Sequence, residues 1–219
     1  MKKSELNFND VKLGFCFERI VRLSLLSLVL FSLVGCATKT ANIDMHNDQG
    51  QAVMGLDYRD FQKAAGEAVS SMLQSGAVNK RGGGRYVLAI SRVINDTMQR
   101  IDVRQLIKKI RIQLLQSGKV VVTTAVAGNG PEDQLAMQAR KLRASDEFNQ
   151  KTVAKKGQMI APDLSLSGRI IQRVVKIDSS TQQSEYYFQL TLTDINTGLA
   201  FWEGETVIGK RGSSNSVAW

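Results

Sequence analysis

The stretch 185–194 constrains the fold more than any other part of the chain. Tyr186, Phe188, Leu190 and Leu192 alternate there with Tyr187, Gln189, Thr191 and Thr193. Successive side chains of a strand point to opposite faces, so this period of two requires a strand with one buried and one polar face. Residues 164–177 before it and 199–208 after it also read as strands, and Asn196-Thr197-Gly198 supplies a turn between the last two. Three such runs in succession predict an antiparallel sheet.

Earlier in the chain the pattern changes to helical. Asp57 predicts the N-cap of a helix reaching about Ser75, because Tyr58, Phe61, Ala65, Val69, Met72 and Leu73 recur at helical spacing and Gly76 can end it. Residues 86–94 are apolar on both faces, which predicts a strand covered on both sides. Residues 95–97 read as a turn, and Asp102 as the cap of a second helix running to about Gln116. Val103, Leu106, Ile107, Ile110 and Leu114 share one face of that helix. Ile112 falls on the opposite side, where a second packing contact is expected in preference to exposure for a partner. A strand over 120–124 follows. Pro131 at an early helical position, with Glu132 and Asp133 near the positive end, opens a third helix with Leu135, Ala139 and Leu142 as its core face. The expected class is α/β: one mixed, partly antiparallel sheet of about four to five strands flanked by about three to four helices.

At the other end of the chain an apolar run from Leu23 to Val34 closes on Leu33-Val34-Gly35-Cys36. It is shorter than the roughly 20 residues a membrane-spanning helix needs, and it suits a signal peptide. The four closing residues resemble a lipobox. That resemblance implies removal of residues 1–35, a diacylglycerol on the Cys36 thiol and an acylated new amino terminus. Ala37 after the cysteine, in place of Asp, implies release to the outer membrane. Several acyl chains at one residue anchor a protein stably, where a single chain binds marginally. Residues 36–55 then form a lipidated flexible tether reaching at most about 65 Å, residues 56–210 a single domain, and residues 211–219 a flexible tail.

Composition narrows the chemistry. Five of the 29 basic and three of the 20 acidic side chains lie in residues 1–35, so the remaining 184 residues carry 24 and 17, a formal charge of +7. The densest basic zone is Arg140, Lys141 and Arg143 with Lys151, Lys155 and Lys156. With Phe148 alone nearby it lacks the interleaved aromatics of a nucleic-acid surface and reads as a solvated face, and the export signal argues further against nucleic acid. Gly82-Gly83-Gly84 precedes a strand, and no Lys-Ser/Thr pair follows it, so it is a loop and not a phosphate cradle. Cys16 leaves with the leader and Cys36 is acylated, so no internal disulfide can form. The one histidine, His46, lies in the tether, which excludes a histidine-based metal site or a Ser-His-Asp triad within the fold. No cofactor, metal or enzymatic activity is expected.

Four stretches, taken in order, resemble one family. They are Asn95-Asp96-Thr97 with Ile101-Asp102; Leu114-Leu115-Gln116-Ser117-Gly118-Lys119; Ala161-Pro162-Asp163-Leu164-Ser165-Leu166-Ser167-Gly168; and Leu192-Thr193-Asp194-Ile195-Asn196-Thr197-Gly198 with Trp202 and Gly204. Together with the lipobox they are similar to the LpoB family, lipoprotein activators of bifunctional penicillin-binding proteins. The resemblance covers roughly residues 57–210. It implies an α/β domain like the N-terminal domain of TolB, without catalysis of its own, docking from the outer membrane onto a class A penicillin-binding protein. The tether departs from the family pattern, being short and free of proline. On exposed polar and aromatic side chains near loops and the sheet edge, Asn95, Thr97 and Tyr187 are the expected partner-binding residues. The alternative expectation is a structural or assembly lipoprotein of the envelope that associates with itself.

Overall fold

Asp57 opens the first helix through a reciprocal cap. Its carboxylate accepts the backbone N–H of Arg59 at 2.8 Å and of Asp60 at 3.3 Å, while its own N–H donates to Asp60 Oδ2 at 2.8 Å. Helix α1 runs over Tyr58–Gln74 and buries Phe61, Ala64, Ala65, Ala68, Val69 and Met72. The computed structural model describes residues 42–45, 47, 50 and 52–216. The chain divides into two compact units, Met1–Asp44 and Met45–Trp219, and the fold described here is that of the second. Cys36 and His46 lie outside the described residues.

The remaining elements are β1 (Tyr86–Asp96), α2 (Arg104–Gln116), β2 (Val120–Ala127), α3 (Gln134–Gln138) leading into a 3-10 turn (Ala139–Ala144), β3 (Leu164–Lys176), β4 (Thr181–Asp194) and β5 (Ala200–Ser213). The strands form one sheet in the order β2-β1-β3-β4-β5. β1 is parallel to both β2 and β3, whereas β3, β4 and β5 form an antiparallel meander. This is the mixed α/β sheet expected, with five strands and three α-helices among the described residues.

Register places the core on one face. Leu88 pairs with Leu164 and Ile90 with Leu166; Leu166 pairs with Leu192, Ile170 with Phe188 and Tyr186 with Ile208. All are buried, in one cluster with Leu106, Ile110 and Leu114 of α2 and the apolar face of α1. Phe61 meets Phe188 edge to face, and the Trp202 indole N–H donates to Ser71 Oγ at 3.2 Å. The alternation over 185–194 holds: Tyr186, Phe188, Leu190 and Leu192 are each less than 5% exposed. At the centre of β1, the consecutive residues Leu88, Ala89 and Ile90 are all buried, but Arg92 and Ile94 are exposed, so the expected cover on both sides holds only at the centre of the strand.

Four local expectations need correction. β1 continues through Asn95 and Asp96, which pair with Ile170 and Ile171, so the turn begins at Thr97. The N-cap of α2 is Val103, and Asp102 acts from one residue further out, accepting the Arg104 N–H at 3.0 Å. The third helix is five residues long with Asp133 as its cap, Pro131 lies before it, and neither it nor the 3-10 turn buries a residue. Its apolar spacing meets no core: Leu135 and Met137 are exposed. Ile112 is 44% exposed for a related reason: the Leu106/Ile110/Leu114 stripe faces the core, and its opposite side meets no further layer. In addition, β5 runs on to Ser213, past the strand end expected at Ile208.

Candidate partner-docking face

The face of the sheet opposite the helices is built row by row from the strand register. Asp96, Ile171, Tyr187 and Val207 are paired neighbours across β1, β3, β4 and β5. Ile94, Arg169, Gln189 and Glu205 form the next row, and Arg173, Glu185 and Gly209 the row on the other side. Ile94, Asp96, Arg169, Gln189, Glu205 and Val207 are exposed, and Tyr187 and Glu185 are half-buried. The result is a shallow face with an aromatic ring near its middle and aliphatic side chains on either side.

Its polar groups hold one another in place. The Tyr187 hydroxyl donates to Glu185 Oε2 at 2.6 Å, and Gln183 Nε2 donates to Glu185 Oε1 at 2.7 Å. These two hydrogen bonds, with the charge of Arg173, hold the Glu185 carboxyl below its ordinary range. The same hydrogen bond, with some burial, pushes the Tyr187 phenol up. At neutral pH the pair is therefore a carboxylate and a neutral donor. Gln189 Nε2 donates to Glu205 Oε2 at 2.7 Å, and Arg169 Nη1 lies 4.0 Å from Asp96 Oδ2.

Asn95 and Thr97 are placed differently. Asn95 Nδ2 donates to the Gln99 carbonyl at 2.7 Å, the Thr97 hydroxyl donates to Asn95 Oδ1 at 2.7 Å, and the Gln99 N–H donates to Thr97 Oγ1 at 3.1 Å. Buried Gln99 in turn accepts the Leu56 N–H at 3.1 Å, tying this loop to the entrance of α1. Asn95 pairs with Ile170, which pairs with core-facing Phe188, so Asn95 and Tyr187 lie on opposite faces of the sheet. Between Asn95 and Thr97, Asp96 ends the Tyr187 row, and next to it Met98 is 73% exposed. The loop thus frames one end of the face. Sequence reasoning singled out Tyr187 but missed Ile94, Arg169, Ile171 and Val207, which join it only through the register. The polar half of the alternation over 185–194 was the available signal.

A second structural hub is Asp163. Its carboxylate accepts the Val87 N–H at 2.8 Å and Lys80 Nζ at 2.9 Å, while its backbone N–H donates to Val87 O and its carbonyl accepts the Ile195 N–H. This fastens the start of β3 to β1 and to the turn after β4. Among the described residues no group of three or more His, Cys, Asp or Glu could hold a metal ion.

Fold and face together define a small α/β domain, with a mixed sheet packed against helices on one side and presenting hydrogen-bonded polar rows on the other. Residues 60–208 match the model of the peptidoglycan-synthase activator LpoB, and the chain belongs to this family. Among solved structures it is similar to the LpoB C-terminal domains from Salmonella enterica and from Escherichia coli. Each is 15% identical, covers 68% of this chain and 98% of its own, and has a TM-score of 0.41. Lipoprotein GNA1162 from Neisseria meningitidis is 12% identical, over 60% of this chain and 86% of its own, with a TM-score of 0.35. No curated protein matches the chain.

Proposed function

We propose that this chain is a non-catalytic, lipid-anchored envelope protein that binds a bifunctional, class A peptidoglycan synthase and raises its activity. The observation that carries the reading is the family match over residues 60–208. Activation requires only that the domain bind the active conformation of the synthase more tightly than the resting one; the difference in binding free energy is the activation. We place the contact on the face around Tyr187, Arg169 and Val207, with the loop held by Asn95 and Thr97 framing one end. The anchor is Cys36, acylated after loss of residues 1–35, and the domain faces the periplasm from the outer membrane. Among the described residues no helix is long and apolar enough to cross a membrane.

The test is the glycan-polymerisation rate of the organism's own class A synthases with and without purified residues 37–219. A several-fold rise with one synthase is the expected result. No change with any of them, with the domain folded, refutes the reading. Incorporation of labelled palmitate, abolished by Cys36→Ser, tests the anchor separately.

A further inference from the structure

β5 is the last strand of the sheet, and its outer edge pairs with no strand among the described residues. A row of unpaired N–H and C=O groups invites another strand unless something guards it. The guard that is present lies at its far end, where Ala52, Val53 and Met54 line a pocket with Gly209, Lys210, Arg211 and Gly212. Residues 200–213 contain no proline. Lys210, the lysine that could protect the edge, turns beneath the sheet instead: its Nζ lies 2.8 Å from Asp60 Oδ2, and its side chain is 10% exposed.

The other charged residues of β5 are Glu203, Glu205 and Arg211, all on the open face. Each is held by a neutral group on β4. Glu203 accepts from the Thr191 hydroxyl at 3.3 Å, Glu205 from Gln189 at 2.7 Å, and Arg211 donates to Gln183 at 2.7 Å. Among the described residues none of the three has an ion-pair partner. The strand is thus acidic in its first half and basic in its second, with Val207, 46% exposed, at the middle.

Such a strand complements itself when run antiparallel. With a two-fold axis through Val207, Glu203 of each copy lies opposite Arg211 of the other, Val207 opposite Val207, and Glu205 opposite Gly209. Moving the axis to Thr206 leaves no ion pair, and moving it to Glu205 sets that carboxylate against itself, which is repulsive. An axis through Ile208 also makes two ion pairs, Glu205 of each copy with Arg211 of the other, but leaves Val207 opposite glycine. What distinguishes the Val207 register is that, with its two ion pairs, it covers the exposed valine with its own counterpart. Gly209 leaves room beside the incoming Glu205, since a Cβ built there meets nothing within 4 Å.

We propose that β5 is a self-association edge, pairing antiparallel with β5 of a second copy about an axis at Val207. The two five-stranded sheets become one continuous sheet, and the two open faces lie side by side.

Residues 45–219 contain the whole described core, and both cysteines, Cys16 and Cys36, lie outside them, so this unit is free of thiols. Val207→Cys places a single thiol at the axis. On oxidation it is expected to give a disulfide-linked dimer, whereas Gln189→Cys, on the neighbouring strand and the same face, stays monomeric. In sedimentation equilibrium the unsubstituted unit shows a monomer–dimer equilibrium. Arg211→Glu is expected to weaken it about tenfold or more, because two attractive cross-strand pairs become repulsive. Adding Glu203→Arg restores complementarity and the dimer, with circular dichroism confirming the fold of each variant. A monomer at every concentration, equal crosslinking of the two cysteine variants, or failure of the charge swap to rescue overturns the proposal.

Discussion

Gly168 sits where β3 comes closest to β4, and Gly168→Ala tests that packing. A Cβ built at Gly168 lies 2.4 Å from the Gln189 carbonyl oxygen and 2.6 Å from Leu190 Cδ2. Leu190 can shift its rotamer, but the carbonyl belongs to a strand fixed on both sides, by Arg169 of β3 and Glu205 of β5 against Gln189. Reaching ordinary contact moves that carbonyl by about an ångström. Overpacking of this kind costs about 1–3 kcal/mol, and the lower chain entropy of alanine returns about 0.5–1 kcal/mol, leaving a net loss of about 1 kcal/mol. For a domain of this size the melting temperature falls by about 2–4 °C. Gly209→Ala is the control: it lies in the same sheet, its backbone φ is likewise not positive, and its Cβ meets nothing within 4 Å. It should be neutral or slightly stabilising. Urea and thermal unfolding of residues 45–219 measure both. The packing argument is wrong if Gly168→Ala stays within about 0.5 kcal/mol of the parent, or if the two variants fall together.

Three further outcomes are expected. Burial alone would raise the Asp163 pKa, but the Val87 N–H and Lys80 outweigh it and hold the carboxyl below its ordinary value. A depressed pKa stabilises above the unfolded value of about 3.9, and that contribution is lost as pH falls through the folded value. Asp163→Asn should therefore lower stability at pH 7 and flatten its fall in acid below about pH 4; urea midpoints with the same pH profile as the parent would refute this. Tyr186 is fully buried and its hydroxyl donates to the Met54 carbonyl at 3.0 Å, so Tyr186→Phe should cost about 1 kcal/mol in urea unfolding. A neutral result would show the hydrogen bond to be dispensable. Arg169 is half-exposed with one 4.0 Å contact, so Arg169→Glu should leave stability within about 0.5 kcal/mol and reduce synthase stimulation several-fold. Undiminished stimulation would move the docking contact off this face.

What was legible in the sequence had a local cause. The capping of α1 by Asp57 depends on side chains a few residues apart, and the core face of β4 depends on its period alone. The third helix and Ile112 fail for a shared reason. Periodicity says which side chains would share a face; topology decides whether a layer lies opposite. Leu135, Ala139 and Leu142 have the spacing of a core helix, yet Leu135 is 67% exposed. The face around Tyr187 was half legible. Its polar members on β4 follow from alternation, but their neighbours follow from register. Register depends on irregularities, such as the shift in β1 between Ile90 and Val93, that leave no mark in the pattern of residue types. Gly168 and Gly204 stood out as parts of family-like stretches, but their physical role needed coordinates: a Cβ at Gly204 would lie 2.2 Å from Trp202 Cζ2, inside the buried indole.

The open face follows from the order of the elements. The connection from β1 to parallel β2 carries α2, which lies with α1 over the core side. β3, β4 and β5 are joined by turns, and turns bring no helix to cover the second face of those strands. That face has to be compatible with water, and it is so through in-plane hydrogen bonds: Tyr187 to Glu185, Gln189 to Glu205 and Arg211 to Gln183. Side chains already fixed in this way lose little further freedom on contact, which lowers the ordering cost of association. A partner that replaces those bonds one for one would gain the burial of Ile94, Ile171 and Val207 without leaving the polar groups unpaired. On this argument substitutions on the open face alter affinity and leave folding intact, whereas substitutions at Gly168, Tyr186 or Asp163 do the reverse.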